Sequence, residues 1–107
     1  MGDTNYISSI VKILEKPSQK IFDKNILITE VRAQLPQTRN NVIVSLTFWG
    51  KLSQDIIDYY NMDDYIIIEG YLSLLENPSV KNSKKVKITV LKVYPFLLSY
   101  NQQNSKI

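Results

Sequence analysis

The chain has 107 residues, enough for one domain that buries roughly two thirds of its surface without covalent staples. It contains no cysteine and no histidine, which excludes disulfides, thiolate metal sites, cysteine nucleophiles and the commonest catalytic base. The net charge is +3, a mild excess that by itself names no partner.

Residues 6–14 are apolar and β-branched and predict a first strand, ended by the turn residues Glu15, Pro17 and Ser18. Residues 25–35 alternate, with Leu27, Thr29, Val31, Ala33 and Leu35 on one face, and predict a longer second strand. After a polar loop, residues 42–49 give the clearest strand. Val42, Val44, Leu46 and Phe48 form its core face, and Ile43, Ser45, Thr47 and Trp49 its outer face. Gly50 ends the run.

Residues 52–60 change to helical period, with Leu52, Ile56, Tyr59 and Tyr60 on one side. Ser53 is placed to cap this helix, and Asp63 can take the left-handed conformation of a helix stop. Residues 65–75 predict a fourth strand with Ile66, Ile68, Gly70, Leu72 and Leu74 inward. A polar hairpin loop leads to a fifth strand at 85–93, after which Pro95 to Leu98 are expected to leave the sheet. Three strands, one helix and two strands fit an all-β fold, a five-stranded Greek-key OB barrel with one short helix between strands three and four. Residues 1–98 would form the domain and 99–107 a short polar tail that frays.

The run Thr47-Phe48-Trp49-Gly50-Lys51-Leu52, the helix carrying Tyr59, and Ile66-Ile67-Ile68-Glu69-Gly70-Tyr71-Leu72 together resemble the bacterial and organellar single-stranded-DNA-binding protein family. Pro17 after an apolar strand and the ending Leu91-Lys92-Val93-Tyr94-Pro95-Phe96-Leu97 are similar to that family as well, its primosomal replication protein branch included. The resemblance spans about residues 5–98 and implies an OB fold that binds single-stranded DNA. Several positions depart from the family pattern. Val11 and Asp63 stand where glycines are common, Ile43 and Asn77 where bases stack on aromatics, and Ser73 and Leu75 where a basic pair lies. The acidic Pro-Phe tail that recruits repair enzymes has no counterpart in Asn104-Ser105-Lys106-Ile107.

Charge is segregated along the chain. Residues 1–54 hold seven cations and four acids, residues 55–76 six acids and no cation, and residues 77–107 six lysines and no acid. The acidic stretch is the helix and the fourth strand; in an OB barrel that helix plugs the end away from the ligand groove, and the basic stretch borders the groove. Single-strand binding needs positive charge along a groove and flat aromatics for stacking. Lys81, Lys84, Lys85 and Lys87 are therefore candidate phosphate contacts, with Arg32 and Arg39 as further ones, and Trp49 and Tyr71 are candidate stacking platforms. Each has a structural alternative: a solvated lysine face shaped by codon bias, a tryptophan covering a rim, a solvated arginine.

Ile43, Ile67 and Leu75 are apolar and outward, which suggests burial by a partner. The family resemblance implies a homodimer or homotetramer. It leaves open a rival reading, an oligomeric protein-interaction module with weak or no DNA binding, and RNA satisfies the same physics as DNA. No enzyme activity is expected. The carboxylate pairs Asp55/Asp58 and Asp63/Asp64 have no base, nucleophile or ligand beside them in sequence, and no Gly-rich phosphate loop exists. No cofactor, metal or membrane span is expected. Eleven lysines against two arginines, fourteen isoleucines and nine asparagines read as the imprint of an AT-rich genome. With no targeting signal visible, the expected location is plastid stroma or bacterial cytoplasm.

Overall fold

A computed structural model describes residues 5–36, 42–76 and 84–99. The elements are β1 (Tyr6–Ile13), β2 (Ser18–Phe22), β3 (Ile26–Leu35), β4 (Val42–Trp49), α1 (Lys51–Tyr59), β5 (Tyr65–Glu76) and β6 (Lys84–Leu97). β1 pairs antiparallel with β5, β5 with β6, and β3 with β4, while β4 and β6 run parallel. The ring closes where Lys12 and Ile13 of β1 meet Gln34 and Ala33 of β3. Five strands thus form the expected closed OB barrel, and α1 lies between its third and fourth strands.

The period-two pattern decides which side chains fill the barrel. Val11, Ile13, Val31, Leu46, Phe48, Ile66, Ile68 and Ile88 are almost wholly buried, and Ile56 of α1 joins them. Each such side chain contributes about 1.5–3 kcal/mol by leaving water. Gly70 is the point of closest strand approach. A Cβ there would lie 2.1 Å from the Thr89 carbonyl oxygen, beside a shift in the β5–β6 register. Asp63 takes the left-handed conformation at φ 75°, as its place after the helix predicts. Its neighbour Asp64 is buried. The Asp64 carboxylate accepts the main-chain N–H groups of Asn61 and Ser99 and the Ser99 hydroxyl, fastening the end of β6 to the helix-to-β5 turn.

Four local expectations are corrected. The predicted first turn contains an extra strand, β2, which pairs with Ile26 to Glu30 of β3 outside the barrel ring. β6 does not end at residue 93 but runs to Leu97. Pro95 is accommodated because it sits at a register shift opposite Ile66, where no ladder N–H is demanded of it. Ser53 does not cap α1. The N-cap is Gly50 at φ 61°, without a side-chain bond, and Ser53 is buried one turn on, its hydroxyl 2.6 Å from that of Thr29. Leu74, expected inward, is exposed.

Candidate nucleic-acid interface

The strand registers align the outer-side positions of successive strands into rows across the barrel, with Thr47 and Ile28 buried among their neighbours. Arg32, Ser45, Lys87 and Ser73 form one row over β3, β4, β6 and β5. Two residues along, Glu30, Thr47, Thr89, Tyr71 and Tyr6 form a second row reaching β1. A third row, Lys20, Ile28 and Trp49, crosses β2, β3 and β4. Adjacent rows are about 7 Å apart, the spacing of alternate residues on a strand. The face therefore presents a cationic row, a hydroxyl-rich row and an aromatic-ended row in sequence.

Trp49 is outward, as alternation predicts, and is 40% exposed at the rim of β4. Its backbone is held by pairing with Ile28 and by the Gly50 N–H, which donates to the Leu27 carbonyl at 2.9 Å. The indole meets the ring of Phe22 edge to face, with centroids 5.5 Å apart and planes at 88°. Tyr71 is also outward and exposed, and packs edge to face on Tyr6 at 5.4 Å. The Tyr6 hydroxyl donates to the Glu69 carboxylate at 2.7 Å. That bond, ahead of slight desolvation and the carboxylate's charge, raises the Tyr6 pKa.

The candidate cations fare differently. Lys87 lies half-buried in the first row between Ser45 and Ser73. Lys84 and Lys85 are on β6 opposite Glu76 and Leu75, while Lys81 and Arg39 lie outside the described residues. Arg32 is exposed, but its guanidinium is 3.2 Å from Glu15, and its main-chain N–H donates to the same carboxylate. A phosphate at Arg32 must compete with that acid. Thr47, in the middle of the face, is buried, and its hydroxyl finds no hydrogen-bond partner among the described residues.

The apolar candidates do not form one patch. Ile43 is exposed on β4 opposite Gln34. Ile67 is on β5 between Ile10 and Tyr94, and the side chain of Leu75 is outside the described residues. Tyr94 lies seven residues beyond Lys87 on β6, about 23 Å at strand rise, so Ile43 and Ile67 occupy separate zones.

Phe22 and Lys20 escaped the sequence reading. The signal for them was a short segment with Lys20 and Phe22 in alternation, bracketed by Pro17 and by Asp23, Lys24 and Asn25. Those three turn residues all have positive φ, at 45°, 48° and 65°, which closes the β2–β3 hairpin.

Two solved structures share this fold. The SSB domain of a Synechococcus protein superposes with a TM-score of 0.72 at 20% identity, over 88% of this chain and 98% of that one. The second single-stranded DNA binding protein of Mycobacterium smegmatis superposes with a TM-score of 0.68 at 17% identity, over 85% and 87%. No protein-family model matches the chain. Among curated relatives, the "Putative single-stranded DNA-binding protein ycf41" of Trieres chinensis is 42% identical over 102 residues, 88% of this chain and 90% of that protein. The protein of the same name from Porphyra purpurea is 30% identical over 77 residues, 72% and 69% of the two chains. Identity at that level over nearly the whole length, on a shared OB barrel, means that the chain belongs to the ycf41 family.

Proposed function

We propose that this protein binds single-stranded DNA on the outer face of its OB barrel, stacking bases on aromatics and neutralising phosphates with lysines. The observation that carries the reading is the continuous face from Lys87 through Tyr71 to Trp49, in which a cation and two exposed aromatics share neighbouring rows. The names and folds of the relatives point the same way. In this reading Trp49 and Tyr71 are stacking platforms. Lys87 contacts phosphate, and Lys81, Lys84, Lys85 and Arg39 are proposed as further phosphate contacts. Arg32 contributes weakly, because Glu15 already engages it.

The sole tryptophan gives the test. Titration with oligo-dT at low salt is expected to quench Trp49 emission, and added salt to reverse the quenching. The absence of both quenching and a gel shift at low salt would sink the proposal. Lys87→Glu should lower the slope of log affinity against log salt by about one to two.

The partner in assembly is a second copy of the chain. Ile10, Ile67 and Tyr94 form an apolar cross-strand row on the outer side of β1, β5 and β6, and Tyr65 and Leu97 lie opposite each other in the row beside it. Covering this band supports a homodimer or homotetramer, and light scattering that found a strict monomer would refute it. The ycf41 relatives support a plastid location for the protein in this reading, and among the described residues no helix is long and apolar enough to cross a membrane.

A further inference from the structure

We infer that Phe22 and Trp49 form a two-walled corner that takes one nucleobase of the bound strand, with Lys20 beside it for the adjoining phosphate. The inference rests on the nucleic-acid reading above and extends the site onto β2, which lies outside the barrel ring. Both rings are exposed, Phe22 at 51% and Trp49 at 40%, and they touch at 88°. Perpendicular rings in contact leave an inner corner. A base lying flat on the indole presents its edge to the phenyl ring, gaining two aromatic contacts.

The corner is built before ligand arrives. On its inner side β2 is tied to the helix, since the Gln19 amide donates to Ser53 Oγ and Gln54 Oε1 at 3.3 and 3.2 Å. That leaves Ser18, Lys20 and Phe22 facing outward with Trp49. Trp49 is held from the other side by β3 and by the turn at Gly50. Charge complementarity selects the occupant. Lys20 shares the row of Trp49 through Ile28, and Lys24 stands at the hairpin tip beside Asp23, while the nearest acid of the barrel face, Glu30, lies one row away opposite Ser18. An exposed aromatic corner flanked by cations suits a stacked base joined to phosphates and gives a purely apolar partner nothing for the lysines.

The test measures anisotropy of fluorescently labelled oligo-dT, so that changes in Trp49 emission do not confuse the readout. Phe22→Ala is expected to weaken binding roughly tenfold or more while leaving the salt slope unchanged, because a neutral ring releases no counterion. Phe22→Leu keeps apolar bulk, protects folding and removes the ring. It should weaken binding nearly as much. Ile21→Ala, on the opposite face of β2, should have no effect. Lys20→Ala should reduce the salt slope by about one. If wild-type protein binds and both Phe22 variants bind equally well, the corner is overturned and the barrel-face reading stands. If wild-type protein does not bind, both fall.

Discussion

Glu15 serves Arg32 twice: its carboxylate accepts the Arg32 main-chain N–H at 2.9 Å and lies 3.2 Å from the guanidinium. The reason is topological. β1 and β2 share one edge of β3 and part company between them, so the Arg32 N–H at that break has no strand partner, and the side chain of Glu15 supplies one. The same contact restrains one of the two cations of the cationic row.

Glu15→Gln should therefore act in two directions. The neutral amide is a weaker acceptor, so stability falls by about 1 kcal/mol, an amount kept small by the exposure of both groups. Affinity for oligo-dT at low salt rises, because Arg32 is released and a negative charge is gone. Denaturant melts and anisotropy titrations check the two halves separately. Unchanged affinity would mean that no phosphate passes Arg32.

Thr47→Val removes a buried hydroxyl that has no partner among the described residues. The isosteric change is expected to stabilise the fold by about 1 kcal/mol, since an unsatisfied buried polar group costs roughly 1–3 kcal/mol. A domain of this size should then melt several degrees higher. A lower melting temperature would show that the hydroxyl is satisfied in solution.

Gly70→Ala should be severely destabilising, by at least about 3 kcal/mol, or should prevent folding. The added methyl would meet a main-chain oxygen at 2.1 Å, and both strands are locked in the barrel ladder. A denaturant midpoint close to wild type would show that the β5–β6 register can slip there.

Stability should fall in alkali. The Tyr6 phenol is held neutral chiefly by its bond to Glu69, and Tyr60 chiefly by burial, with Asp55 and Asp64 adding to it. Both have folded pKa values raised above the unfolded value of 10.0. Their contribution is thus complete below the unfolded pKa and is lost as pH rises through the folded values. Thermal melts at pH 9 to 11 read this loss. In Tyr6→Phe the portion due to Tyr6 should vanish.

The family motif from Thr47 to Leu52 and the strand from Ile66 to Leu72 made the barrel legible, because period-two burial leaves a strong mark in sequence. The same alternation put Trp49 and Tyr71 outward, where both are exposed. β2 left no such mark. Every residue from Ser18 to Phe22 is exposed, so no hydrophobic alternation announces the strand.

What the sequence determined by itself was most of the inward set, since burial in a barrel largely follows local periodicity, with Leu74 exposed and Thr47 buried against that pattern. The tertiary structure decided which outward side chains meet. Phe22 reaches Trp49 across 27 positions of sequence, and Glu15 reaches Arg32 across a break between strands. Such meetings depend on strand register and on how β1 and β2 divide one edge of β3, and neither is encoded in the periodicity of any single segment.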